Sequence, residues 1–303
     1  MQKYLLSVIL PVYNGLPFLS EAIRSLLSQS FQDFKILVID NGSTDGTSEF
    51  IYELKNENIK YFRLNEPDLV KALNKGIELS ETQFTARMDS DDISHPKRFE
   101  KQINYLLENQ EIDIVGTNGY YISSNGLRQV KINLPLRHDK IIHAMLKKRS
   151  AIIHGSAMFR TEVFNSNNFY DARYFPCEDY ELFLRVGDRF KFANIKEHLY
   201  FFRVRENSIM STHIKDSIKI YYSINRKYEN KYYNLKENME IESNSKLRTF
   251  EKIDVFSVSI YRRGLYYFLN VNSILGIIYF IIASIMNPLR FFYSVKRKIF
   301  SPK

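Results

Sequence analysis

The sequence predicts an α/β domain, with a mostly parallel central sheet flanked by helices, followed by a basic helical tail. Three observations predict it. Apolar runs of strand length alternate with segments of helical spacing over the first 120 residues, which is the pattern of strand–helix–strand units. Two of those runs end in acids and turn residues. All of the net charge of +9 falls in residues 213–303, where 16 Lys+Arg stand against 7 Asp+Glu; residues 1–212 carry 27 of each.

Taken in order, the run Leu5–Val12 reads as a first strand and not as a leader, because proline and turn residues follow it and no small-residue cleavage site does. Further strands are expected at Phe34–Asp40, Ile59–Leu64, Phe84–Asp89 and Ile112–Gly116. Helices are expected between them at Phe18–Ser28, Thr47–Leu54, Leu69–Leu79 and Pro96–Leu107. Pro96 suits a first helical turn, where its missing N–H costs nothing, and Ser94 is the expected cap. Beyond residue 120 the alternation loosens. "YYISSNGLRQV" predicts a hairpin around Asn125-Gly126, Asp139–Lys148 a helix and "GSAMFR" a strand. Glu178 and Asp179 open an amphipathic helix through Leu182, Phe183 and Val186.

A chain of 303 residues with 45% hydrophobic and 25% charged residues can form one large soluble domain with an appendage. The single cysteine, Cys177, excludes an internal disulfide framework and fits the cytoplasm. A nucleic-acid binder would gather basic charge around its reading surface. Here the charge sits in the tail, which points to an anionic membrane surface and not to nucleic acid. Residues 265–289 hold no charged side chain and are long enough to cross a bilayer with tilt, although Asn270, Asn272, Asn287 and Pro288 interrupt them. Arg262 and Arg263 precede this run, and Arg290, Lys296, Arg297, Lys298 and Lys303 follow it. One crossing would carry the five following cations to the far side, against the positive-inside rule. A re-entrant hairpin or an interfacial helix keeps both flanks on one anionic face; burial against protein is the alternative.

The stretch "MDSDD" crowds Asp89, Asp91 and Asp92 at a strand end, where neighbouring carboxylates raise one another's pKa unless something positive joins them. A calcium loop fails, since Ile93 and Ser94 occupy positions that need an oxygen ligand and a glycine. Mg²⁺ or Mn²⁺ would explain the crowding, because residues two apart on an extended strand point the same way. A solvated acidic turn is the alternative. In "VIDNGSTDGT", turn and cap chemistry accounts for Ser43 to Asp45 but not for Asp40. Glu178 and Asp179 are either functional or simple complements of a helix dipole.

Read in order, "SVILPVYNG", "VIDNGSTDGT", "ALNKGIELS", "ARMDSDDISHP" and "CEDYELFLRV" resemble the family 2 glycosyltransferases over about residues 5–210. The resemblance implies a GT-A fold, with a catalytic domain at 1–212 whose nucleotide half is about 1–120 and acceptor half about 121–212. It implies a nucleotide site at Pro11, Tyr13, Asn14, Asp40, Asn74, Asp89 and Ser90. Asp89 and Asp91 match the family's DXD motif, which holds a divalent cation (Mn²⁺ or Mg²⁺) on the sugar diphosphate. Asp179 matches the general base of inverting members, with Glu178, His154 and Gly155 in the acceptor pocket. The expected activity is inverting transfer from a nucleotide sugar, a UDP-sugar in the first place, to a glycan or lipid-linked acceptor in surface polysaccharide synthesis. The expected location is the inner face of the membrane, with an oligomer left open.

Some positions depart from the family's pattern. Asn41 follows Asp40 where an acid is common, and Arg205 in "FFRVRENSIMS" stands where many relatives carry a histidine. An arginine there can bind phosphate but cannot ligate a metal. Asp92 is expected to brace its loop or cap the next helix. A nucleotidylyltransferase would need a glycine-rich loop that "PVYNGLPFL" lacks, and a degenerate scaffold would have lost the acids that this chain keeps.

Overall fold

Leu6, Val8, Leu10 and Val12 face one layer of the core and Ile9 the other, all of them buried, as an interior strand of a parallel sheet requires. The computed structural model describes residues 4–147, 150–164, 168–206, 212–233 and 249–288. In it this strand, β1 (Leu6–Val12), lies parallel to β2 (Phe34–Asp40) on one side and to β4 (Phe84–Arg87) on the other; β3 (Ile59–Arg63) extends the parallel set beyond β2. Helices α1 (Leu19–Leu27) and α2 (Thr47–Glu53) cover the Val8 face, and α3 (Leu69–Glu78) covers the Ile9 face. Gly76 lets α3 lie against β1, since a Cβ there would stand 2.4 Å from the Ile9 side chain. The helical spacing of Val70, Leu73 and Ile77 thus meets the alternation of β1.

After β4 the chain runs through β5 (Ile93–Ser94), α4 (Arg98–Glu108), β6 (Ile114–Ile122), β7 (Gln129–Ile132), α5 (His138–Leu146), β8 (Met158–Arg160), α6 (Glu178–Val186) and β9 (Phe192–Arg203). The sheet reads β3-β2-β1-β4-β8-β6-β9-β5, with β7 paired to β6. β8 enters antiparallel between β4 and β6, and β5 pairs antiparallel with β9, so the sheet turns mixed past β4. β6 and β9 are parallel along most of their length, which carries β6 well past Gly116, where the sequence pattern ends. The hairpin at Asn125-Gly126 forms, with Gly126 at a φ of +75°.

Ser94 is not a helix cap. It belongs to β5, opposite Tyr200, and its hydroxyl accepts from Gln29 Nε2 at 3.1 Å. Pairing with β9 claims this segment first, and the helix starts at Arg98 after a turn through Pro96 and Lys97.

The first helix of the basic region, α7 (Ile214–Tyr233), buries Ile224 and Tyr228 in the same core as α3, α5 and α6. Its Tyr228 hydroxyl donates to Glu181 at 2.6 Å, and its Tyr221 ring stacks on Tyr180. The apolar run 265–289 is not one element. α8 (Thr249–Asn270) ends inside it, and α9 (Ser273–Met286) begins after Asn272, whose side chain accepts from the N–H groups of Ile274 and Leu275. Asn270 and Asn272, two of the residues that weaken the run as a span, sit at this turn, and Asn287 follows the end of α9. Among the described residues no helix is long and apolar enough to cross a membrane. The cations of residues 290–303 lie outside the described residues.

Candidate active site

Because β1, β2 and β4 are adjacent and parallel, their C-terminal ends deliver three loops to one edge of the sheet, where ligands bind in such folds. The first two loops are stitched together. Asn14, at a φ of +48°, donates its backbone N–H to Ser43 Oγ (2.9 Å) and accepts from Thr44 N–H through its side chain (2.8 Å). Gly15 N–H donates to Thr47 Oγ1 and Leu16 N–H to Asp45. Pro11 is buried within β1, whereas Tyr13 is 51% exposed at the mouth of the site.

Asp40 is fully buried and accepts from Ser43 N–H (2.8 Å), Ser48 Oγ (3.0 Å), Tyr61 OH (2.5 Å) and Arg63 Nη1 (2.9 Å). Burial alone would raise its pKa, but the bonds from Tyr61, Ser43 and Ser48 outweigh it and hold the carboxylate below its usual range. Both oxygens are turned into the loop they hold. A hollow of about 410 Å³ lies beside this network, lined by Thr44 of the loop after β2, Tyr52 of α2 and Arg63 of β3; no acid of β4 or α6 lines it. Asn74 is likewise engaged internally: its amide donates to Tyr170 C=O and accepts from Tyr170 N–H, both at 2.9 Å.

The third loop carries the acid cluster, and arginines supply the positive charge that the crowding requires. Arg87, 5% exposed, pairs with Asp89 at 2.7 Å and also donates to Met88 C=O. Arg205 pairs with Asp91 at 2.5 Å. Asp92 is buried; one oxygen accepts from Arg203 N–H at 2.7 Å, bracing the loop against β9, and the other has no partner among the described residues. Burial opposes ionisation of Asp89, but the charge and hydrogen bond of Arg87 prevail and keep its pKa low. Burial pushes Asp91 upward despite Arg205, with Asp89 adding to the rise; Asp92 is driven far up by burial and by both neighbours. Ser90 lies half-buried in the turn between them.

β8 and α6 close the other side. Gly155 is required by close approach: a Cβ would fall 2.0 Å from Tyr200 OH and 2.5 Å from Asp89 Oδ2. His154 shares a 2.7 Å hydrogen bond with Tyr170 OH, and burial, reinforced by Arg87, lowers its pKa to about 3, so the ring is neutral. Asn74 therefore fixes the backbone of the tyrosine that fixes His154. At the start of α6, Glu178 is buried with one oxygen unpartnered among the described residues. Burial and then Asp179 push its pKa up to about 8. Asp179 accepts from Tyr180 N–H at 2.7 Å; burial, opposed by that bond and helped by Asp89, pushes it up to about 6. Both carboxyls feel the charges of Arg87 and Asp89, so the fold brings the β4 cluster and the α6 pair into one electrostatic neighbourhood.

The donor set suits a hard cation. Asp89 and Asp91 offer carboxylate oxygens, and both remain partly exposed. Among the described residues no three His, Cys, Asp or Glu side chains form a cage, so such an ion would share its shell with water or ligand oxygens, as Mg²⁺ commonly does.

Sequence reasoning missed Arg87, Tyr170, Arg203 and Tyr200. Arg87 had a signal: it sits two residues before Asp89 and so shares its face of the strand. Tyr200 had none, being 111 residues from Asp89 in the chain.

A model of the family described as glycosyl transferase family 2 matches residues 7–167. The O-antigen biosynthesis glycosyltransferase WbnJ of Escherichia coli is 31% identical over 212 residues, covering 67% of this chain and 81% of that one. Among solved structures, S. aureus TarS 1–349 in complex with UDP-GlcNAc superposes with a TM-score of 0.61 at 18% identity, covering 86% of this chain and 83% of that one. The mannosyltransferase PcManGT from Pyrobaculum calidifontis, in complex with GDP-Man and Mn²⁺, gives 0.57 at 13% identity, covering 96% and 78%.

Proposed function

The chain belongs to glycosyl transferase family 2 and has a GT-A-like fold, and on that premise we propose that it moves a sugar from a UDP-sugar to a hydroxyl of a glycan or lipid-linked acceptor, with inversion. One observation carries the reading: two acid pairs share a site, one held ionised at Asp89 by arginine and the other held near neutrality at Asp179 by burial. The donor's uridine lies against Tyr13 and the Asn14–Ser43 loops, which Asp40 holds in shape through Ser43, while Asn74 acts on the far side through Tyr170. Asp89 and Asp91 hold a Mn²⁺ or Mg²⁺ ion, whose part is to stabilise charge on the leaving diphosphate. Asp179 takes the acceptor's proton as attack proceeds; a carboxylate with a pKa near 6 is ionised at neutral pH yet more basic than a free one. Attack opposite the leaving group inverts the anomeric carbon in one displacement. Glu178, His154 and Gly155 shape the acceptor side, where a hexose or N-acetylhexosamine is added. The complexes of the structural neighbours with UDP-GlcNAc and GDP-Man support a nucleotide-sugar donor, and the O-antigen relative supports surface polysaccharide synthesis.

The tail reads as a membrane-surface anchor. Ile274, Ile278, Ile281 and Ile285 form one exposed stripe of α9, and Ile277 and Ile282 widen it. The basic residues that flank this run in sequence suit an anionic, inner-face surface.

A thermal-shift screen of nucleotide sugars with and without Mn²⁺ tests the donor reading: stabilisation by a UDP-sugar that depends on Mn²⁺ is expected, and no response to any nucleotide sugar would sink it. Sedimentation with phosphatidylglycerol vesicles tests the anchor. The chain is expected to pellet with them, and Ile278→Asp with Ile281→Asp to release it.

A further inference from the structure

Three arginines serve the acid cluster, and they are not held alike. Arg87 is 5% exposed and joined to both Asp89 and Met88 C=O. Arg203 is 1% exposed and spread over Asp91 C=O, Ser124 C=O and Glu21. Arg205 is 36% exposed and meets the cluster through Asp91 alone, at 2.5 Å. Its Nε is buried without an acceptor among the described residues, and its guanidinium lies 5.5 Å from the centre of the Phe18 ring, a support along which it can slide. Two arginines are built into the loop; the third rests on it.

The geometry points to Arg205 as a displaceable counter-ion, which neutralises Asp91 in the donor-free chain and passes to the donor's diphosphate when a divalent cation takes Asp91. This rests on the reading that Asp89 and Asp91 hold such an ion. A guanidinium and a divalent cation on one carboxylate repel each other, and the less firmly anchored arginine yields: Arg87 is also held by Met88 C=O, whereas Arg205 is not. Arg205 is the arginine free to move, and a diphosphate offers the oxygens that a planar guanidinium binds best, including an acceptor for the idle Nε. An ion arriving alone must send Arg205 into water, whereas an ion arriving with nucleotide gives it a new partner. Ion and nucleotide therefore strengthen each other's binding, and by linkage they do so equally.

The test is a titration of the full chain with Mn²⁺, reading free ion by electron paramagnetic resonance, with and without UDP. Wild type, Arg205→Ala and Arg205→Gln are compared after circular dichroism has shown that each melts cooperatively. Wild type is expected to bind Mn²⁺ weakly alone and roughly tenfold or more tightly with UDP. Both variants are expected to bind Mn²⁺ alone roughly tenfold more tightly than wild type and to lose most of the UDP effect. Variant affinities for Mn²⁺ alone equal to or weaker than that of wild type overturn the counter-ion role. A wild type that binds no Mn²⁺ even with UDP overturns the ion reading on which it rests.

Discussion

At the end of β4, Asp89 and Asp91 each touch an arginine; at the start of α6, Glu178 and Asp179 form no ion pair among the described residues. Both places bury two carboxyls near one another, yet Asp89 is driven toward the ionised state while the α6 pair is driven toward protonation. The lesson is that acidity in such a site is assigned by neighbours and not by residue type. At Asp89 the buried Arg87 outweighs burial, whereas at Asp91 the more exposed Arg205 does not. A carboxylate meant to exchange a proton is given a dry wall, whose effect the Tyr180 N–H only partly offsets at Asp179.

Four measurements break or sharpen that contrast. On the proposed roles, Asp179→Asn removes the proton acceptor alone, so kcat should fall by about 10²–10⁴ while UDP-sugar affinity holds, whereas Asp91→Asn should weaken Mn²⁺-dependent UDP binding as well. Equal, mild losses from both would erase the distinction. Asp89→Asn leaves Arg87 buried without its counter-ion, a loss of ~3 kcal/mol of stability that chemical denaturation would register. The pH profile of kcat/KM should rise to a plateau with its acidic limb centred near 6, because Asp179 must be ionised to act. A limb near its ordinary value of 3.8 would remove the buried-base assignment.

The smallest effect concerns Glu178. Its pKa is about 8 when folded against an ordinary 4.5, so the folded chain binds the extra proton between those values and stability falls as pH rises through that window. Glu178→Gln removes the cost, so its melting temperature should gain on wild type at pH 9 and match it at pH 4. An equal gain at both would mean that Glu178 ionises normally.

Periodicity carried much of the fold. The alternation of β1 to β4 with their helices is written in local spacing, because burial on both faces demands continuous apolar runs and a helix demands its 3.6-residue stripe. "MDSDD" was equally legible, since like charges do not gather without a reason. What local spacing could not show was who answers those charges. Arg87 lies nearby in sequence, but Tyr200 reaches Asp89, and Arg203 and Arg205 reach Asp91 and Asp92, only after β9 has crossed the sheet. Asn74 reads as a nucleotide contact in its motif, and the motif gives no sign of its bonds to Tyr170, 96 positions away.

The tail shows the same division. Its charge and its uncharged run are plain in composition, whereas only packing put α7 into the core and broke the apolar run at Asn272. By itself the sequence determined the strand–helix alternation of the first half and which residue types can carry the chemistry, for those follow from neighbours a few residues apart. The tertiary structure alone decided that Asp89 stays ionised, that Glu178 keeps its proton and that Arg205 rests on Asp91. Desolvation and Coulomb interactions act through space, between residues that the chain itself keeps a hundred positions apart.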